Sequence, residues 1–218
     1  HYRVLFGTID ARLLAIDART GLLCNDFGTD GTVRLDEGVG PVDEGMYAMT
    51  SPPAIVGDIV VTGSSVRDNY QVEDAYGTVR GFDVRTGEQL WAWDPIPRSP
   101  DIPGYETWTP EAAEKTGAAN AWAPLSSDAD RDLVFVPTGS ASPDFYGGER
   151  TGENLYSSSV VALKASTGEV AWHFQVVHHD IFDYDVASQP SIVTVPRDGE
   201  QIDAVAVVTK MGFIYVLD

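Results

Sequence analysis

The chain has a single cysteine, Cys24, in 218 residues. That excludes an internal disulfide and a multi-cysteine metal site, though not an oxidising compartment. Cations are also scarce: 14 Lys and Arg against 33 Asp and Glu leave a net charge of −19. A surface so acidic repels phosphate backbones and anionic membranes, so nucleic acid is excluded as a partner. No run approaches the roughly 18 apolar residues that a membrane-crossing helix needs. No extended stretch shows helical periodicity, and only Pro110 to Lys115 suggests one or two turns of helix. With 43% hydrophobic residues, the chain still has enough apolar surface to bury a substantial core.

What the chain does have is a repeated phrase. Ala-Ile-Asp-Ala-Arg-Thr-Gly (Ala15 to Gly21) returns as Gly-Phe-Asp-Val-Arg-Thr-Gly-Glu-Gln-Leu-Trp (Gly81 to Trp91). It returns again as Ala-Leu-Lys-Ala-Ser-Thr-Gly-Glu-Val-Ala-Trp (Ala162 to Trp172), and a further copy begins at Val216-Leu217-Asp218. Repeats tens of residues apart signal stacked supersecondary units. Each unit is a strand, a Thr-Gly turn and a second strand, the grammar of a β-propeller blade. The Gly takes a positive φ without steric cost, while Asp or Thr can bond to nearby backbone. Trp91 and Trp172, four residues after the Gly, are expected to pack between neighbouring blades. Leu23-Cys24-Asn25 stands where the first repeat would carry its Trp, so that copy is degenerate.

Short β-branched runs bounded by Gly, Pro and Asp place the other strands. Tyr2 to Thr8 and Ala11 to Asp17 read as a hairpin with its turn at Ile9-Asp10. Pro53 to Val56, Ile59 to Thr62, Thr78 to Asp83 and Gln89 to Trp93 make a four-stranded unit. Ala121 to Leu125, Leu133 to Pro137, Ser159 to Lys164 and Glu169 to Gln175 make a second. Pro190 to Val195, Ala204 to Thr209 and Phe213 to Leu217 give three strands of another. The fold class expected is all-β: one partial propeller domain over residues 1–218, two full blades flanked by two partial ones. Starting inside a strand-like run, the chain reads as an excerpt from something longer, or as a half that self-associates to cover its open blade faces. Three long connections, Gly63 to Gly77, Asp94 to Asn120 and Thr138 to Tyr156, are long enough to be functional loops around a central channel.

Those loops carry a resemblance. Ser65-Val66-Arg67-Asp68-Asn69-Tyr70, Asn120-Ala121-Trp122-Ala123-Pro124, Thr138-Gly139-Ser140-Ala141-Ser142-Pro143-Asp144 and Val177-His178-His179-Asp180-Ile181-Phe182-Asp183-Tyr184-Asp185 run in order along the chain. Together they resemble the membrane-bound quinoprotein glucose dehydrogenases and their quinate-oxidising relatives, eight-bladed enzymes that use pyrroloquinoline quinone (PQQ). The resemblance implies about half of such a propeller. It puts the metal-binding Asp-Asn pair on Asp68 and Asn69 and a hydroxyl ligand, normally Thr, on Ser142. Oxygen donors of this kind suit Ca²⁺ or Mg²⁺. It also puts the Trp beneath the PQQ ring on Trp122, the catalytic Asp on Asp183, and the cation near the quinone oxygens on Lys210.

The activity implied is oxidation of a sugar or polyol hydroxyl, with Asp183 as general base and hydride passing to PQQ. Alcohol-oxidising members generally carry a vicinal disulfide, which a chain with only Cys24 cannot form, so the sugar and polyol branch is favoured. The resemblance further implies ubiquinone as electron acceptor, the periplasmic face of the inner membrane, an anchor outside this chain, and no activity from these residues in isolation. The rival from another class is a non-catalytic scaffold propeller, which shares the blade grammar but has no use for the combined loop residues. By residue type alone, His178-His179 suggests a transition-metal pair. Adjacent strand residues face opposite ways, so a structural or rim position is expected. Asp144, Arg150 and Tyr156 lie in the insertion beside Ser142 and are expected to shape the substrate mouth.

Overall fold

The repeated phrase marks the hairpin turns of successive antiparallel sheets in the computed structural model, which describes residues 2–218. Sheet I contains β1 (Arg3–Gly7), β2 (Arg12–Asp17) and β3 (Thr32–Arg34). After β4 (Tyr47–Ala48), sheet II opens with β5 (Ala54–Val56) and β6 (Ile59–Thr62). The chain leaves it for β7 (Ser65–Val66), which pairs with β4, then returns through β8 (Val79–Asp83) and β9 (Gln89–Trp93). A 3-10 turn at Tyr105–Thr107 and the single α-helix among the described residues, α1 (Pro110–Lys115), occupy the long connection. Sheet III is β10 (Ser126–Asp128), β11 (Leu133–Pro137), β12 (Ser159–Lys164) and β13 (Val170–Gln175). Sheet IV is β14 (Ser191–Arg197), β15 (Glu200–Val208) and β16 (Ile214–Leu217). The short helix starts well: Thr109 Oγ1 accepts from Ala112 N, and Pro110 sits where its missing N–H costs nothing.

Burial follows position in the stack. Every residue of β11 is buried, as are five of the six in β12, because sheets II and IV cover both faces of sheet III. β1 alternates instead: Val4 and Phe6 are exposed and pair with Ile16 and Leu14 on one open apolar face. Val208, Ile214 and Val216 are likewise exposed on sheet IV. Between sheets II and III the docking expected of Trp91 is present. Its ring lies against Gly81 and Gly168, where a Cβ would approach to 2.3 and 2.6 Å, and Nε1 donates to Ala165 O at 2.8 Å. In the degenerate first repeat, Phe27 takes that place. It is fully buried beside Gly87, and Gly28 N donates to Thr86 O at 2.7 Å.

The Thr-Gly turns work as expected. Asp17 Oδ1 accepts from Arg19 N and Thr20 N at 2.9 Å, and Asp83 Oδ1 repeats the pattern with Arg85 N and Thr86 N at 2.8 Å. In the third copy Lys164 replaces the Asp, and Asp132 of the neighbouring hairpin receives Ser166 N instead. One expected strand is corrected. Ala121 to Leu125 is not a sheet strand; the first strand of sheet III is β10, because the preceding backbone bonds to loops. Ala121 O accepts from Ser64 N at 2.9 Å, and Asn120 O accepts from Gly139 N at 3.0 Å. β3 and the β4–β7 ribbon were not anticipated.

Candidate active site

Residues 117–122 bring the long loops together. Gly77 N donates to Ala118 O on one side, while on the other Ala119 N donates to Ser140 O and Ser142 N to Gly117 O. Gly77 permits the approach, since a Cβ there would stand 2.3 Å from Ala118 O. Ser142 Oγ then reaches Asp68 O at 3.4 Å, joining the loop after β7 to the loop after β11. Beside this junction the Asp68 and Asp144 carboxyls lie within hydrogen-bonding reach of each other. Burial, reinforced by the Asp185 charge, pushes the Asp68 carboxyl up to about 6. Burial and then the Asp68 charge push Asp144 up to about 8. Asn69 lies at the exposed tip of the same loop.

The loop Val177 to Asp185 supplies the other half. Asp180 is buried and accepts from Ser140 Oγ at 2.6 Å, Ser158 Oγ at 3.0 Å, Phe182 N at 2.9 Å and Tyr184 N at 2.7 Å. So committed, it is a loop anchor. Asp183 takes a left-handed backbone conformation, φ 57°, and stays half-buried. Lys210 Nζ donates to its Oδ1 at 2.9 Å, its backbone O at 2.7 Å, and Asp185 Oδ2 at 3.2 Å. Burial raises the Asp183 carboxyl, the Lys210 bond offsetting part of the effect. Burial opposes the Lys210 charge, but Asp183 and Asp185 outweigh it and hold the ammonium up.

Asp185 is the hub that sequence reasoning missed. Its Oδ2 also accepts from Trp122 Nε1 at 3.0 Å, and its Oδ1 from Ser140 N at 2.6 Å. Gly139 makes room for it, because a Cβ there would meet Asp185 Oδ1 at 2.8 Å. Trp122, Asp183 and Lys210 are thus brought together through Asp185, and Asp68 feels the charge of both acids. The Asp183-Tyr184-Asp185 spacing was the one available signal for this hub.

Two expectations about the rim are corrected. Tyr156 is no mouth residue; it is buried in the core between Trp93 and His173, with ring centroids 5.7 and 5.0 Å away. Arg150 is buried too, clamping the insertion through Asn154 Oδ1 and the carbonyls of Pro143 and Asp180. His178-His179 sits in a turn, in keeping with the structural or rim position expected of it. His178 is exposed, while His179 Nδ1 lies 2.9 Å from Gly152 O. Asp144, by contrast, does face the acid cluster.

The successive antiparallel sheets, with a Trp, a Lys and four acids gathered on their loops, make up part of a β-propeller. The chain belongs to the family of the PQQ glucose/ethanol/alcohol dehydrogenase β-propeller domain, whose model matches residues 1–218. It is 41% identical to quinoprotein glucose dehydrogenase of Escherichia coli (strain K12), over 99% of this chain and 27% of that protein. It is 43% identical to quinate/shikimate dehydrogenase (quinone) of Acinetobacter baylyi, again over 99% of this chain and 27% of the relative. The chain therefore spans about a quarter of these relatives' length. Among solved structures, quinohemoprotein alcohol dehydrogenase from Comamonas testosteroni superposes with a TM-score of 0.82 at 27% identity, covering 99% of this chain and 32% of that one.

Proposed function

We propose that residues 1–218 are part of a PQQ-dependent dehydrogenase that oxidises a sugar or polyol hydroxyl and passes electrons to ubiquinone. The carrying observation is the Trp122–Asp185–Lys210–Asp183 linkage in a chain matched end to end by the family. The glucose- and quinate-oxidising relatives support the substrate class. The open faces of sheets I and IV support a partial propeller, about half of eight blades, completed by further blades or a second copy. The reading places the whole protein at the periplasmic face of the inner membrane, as the resemblance implies; no helix of the described residues is long and apolar enough to cross a membrane.

The residues suit both groups the family uses. Asp68, Asn69 and Ser142 carry oxygen ligands of the kind a hard cation such as Ca²⁺ or Mg²⁺ takes, and the charges of Asp183 and Asp185 reach Asp68. Trp122, fixed through its indole nitrogen, offers a flat face for a planar ring, and Lys210 offers a donor for its oxygens. When bound, PQQ supplies the two-electron acceptor and the cation supplies Lewis acidity. Asp183 takes the proton from the substrate hydroxyl, and burial raises its proton affinity, the direction a general base requires. Lys210 orients that carboxylate and stabilises negative charge that develops beside it.

In the full-length enzyme, Asp183→Asn should retain PQQ, read as bound-quinone absorbance, while sugar-dependent dye reduction falls by about 10²–10⁴. Trp122→Ala should lose quinone absorbance first. Near-normal turnover by Asp183→Asn removes it as the base, leaving Asp185 as the next acid, since Asp180 is fully engaged.

A further inference from the structure

We propose that Asp144 is a further carboxylate ligand of the cation served by Asp68 and Ser142, so that the site grips a divalent ion through two carboxylates. The inference rests on the cation reading above. Asp144 is 2% exposed, and no hydrogen-bond donor reaches its Oδ1 among the described residues. A buried carboxylate oxygen without a donor or counter-charge is costly. The other buried acid of these loops, Asp180, avoids that cost with four donors. Asp144 instead stands against a second carboxyl, that of Asp68, which adds repulsion.

Arg150, from the same loop, relieves only part of it: its charge acts on Asp144, but its Nε, like Asp144 Oδ1, has no hydrogen-bond partner among the described residues. Its Nη1 is committed to Asn154 Oδ1, and its Nη2 to the carbonyls of Pro143 and Asp180. Asp144 lies two residues beyond Ser142, whose Oγ contacts the backbone of Asp68, so all three share the junction of two loops. A divalent cation there would neutralise both carboxylates and use the orphaned oxygen, as hard-cation sites do. Two anionic ligands also favour a divalent over a monovalent ion.

The test uses full-length apoprotein stripped with chelator and supplied with excess PQQ. Ca²⁺ is titrated and bound-quinone absorbance recorded for the wild type, Asp68→Asn, Asp144→Asn and Asp144→Glu, with circular dichroism to confirm folding. Asp144→Asn should raise the half-saturating Ca²⁺ concentration at least about tenfold, as should Asp68→Asn, and Asp144→Glu should recover part of the loss. If Asp144→Asn leaves the Ca²⁺ requirement unchanged or lowers it while Asp68→Asn raises it, the proposal is overturned and the cation reading stands. If neither substitution shifts the requirement, both are overturned. Should Asp144→Asn fail to fold, Asp144→Ser carries the same comparison.

Discussion

The Thr-Gly turns and the long loops use the same residue, aspartate, in opposite electrostatic settings. At the turns, Asp17 and Asp83 are surrounded by donors, and the Thr20 and Thr86 backbone N–H bonds hold their carboxyls below the usual range. In the loops, burial pushes Asp68, Asp144 and Asp183 above it. Asp180 separates the two variables: it is as buried as Asp144 but has four donors. Burial alone therefore does not mark an acid that is free for chemistry. The supply of donors does, because a carboxylate already saturated by N–H and O–H groups has neither lone pair nor motive to bind a cation or take a proton.

The most disruptive way to break this comparison is to remove the saturated buried acid. Asp180→Ala leaves two hydroxyls and two backbone N–H groups without their acceptor inside the protein, and releases the loop that carries Asp183 and Asp185. The expected cost is about 3–5 kcal/mol of stability, read by chemical denaturation of the full-length protein. Asp180→Asn, which keeps one acceptor oxygen, should cost less. A loss below about 1 kcal/mol for Asp180→Ala would mean that the loop is held by other contacts.

A smaller effect tests the unsaturated pair. Because the folded-state values of Asp68 and Asp144 lie above the ordinary carboxylate value, the native state retains protons that the unfolded chain has lost. Their contribution is fully present below about pH 4 and is lost as pH rises through about 6 and then about 8. Metal-free protein should lose on the order of 1–3 kcal/mol over that range, allowing for partial solvent screening. Thermal midpoints from pH 5 to 9 should show the decline, and Asp144→Asn or added Ca²⁺ should flatten it. A wild-type profile that already matches that of Asp144→Asn would show that the pair does not titrate together.

The turn acids were legible in the sequence and the loop acids only partly so, for a physical reason. A turn is local: Asp83 meets donors two and three residues away, so one repeat announces the next and the sheet order follows. Strands whose burial comes from sheet stacking, such as β11 and β12, also stand out as continuous apolar runs. β3 is short and carries Thr32 and Arg34, so nothing distinguished it from the turn before it. The Ala121 to Leu125 run is apolar because loops cover it, not because it joins a sheet. The loop residues find partners far along the chain: Trp122 meets Asp185, and Ser142 meets Asp68. No local pattern encodes those meetings. Resemblance to a family pointed to Trp122, Asp183, Lys210 and Asp68, but not to the hub at Asp185; position in the insertion suggested a mouth for Tyr156 and Arg150, where packing puts them inside.

The smallest expected effect sharpens the comparison from the turn side. Asp83→Ala removes an acceptor for Arg85 N, Thr86 N and Thr86 Oγ1, but all three lie near solvent, where water takes its place. The loss should be about 1 kcal/mol, the range for a solvated capping acid. Its pH signature should run opposite to that of the loop pair. A carboxyl whose folded-state value is depressed stabilises above its unfolded value, and that contribution disappears as pH falls through the folded value. The difference in thermal midpoint between wild type and Asp83→Ala should therefore be constant at neutral pH and shrink below about pH 4. The Ca²⁺ requirement and turnover of the full-length protein should not change, because the turn lies outside the acid cluster. A shift in the Ca²⁺ requirement on Asp83→Ala would show that turn and loop acids are coupled through the sheets, and the division drawn between them would fail.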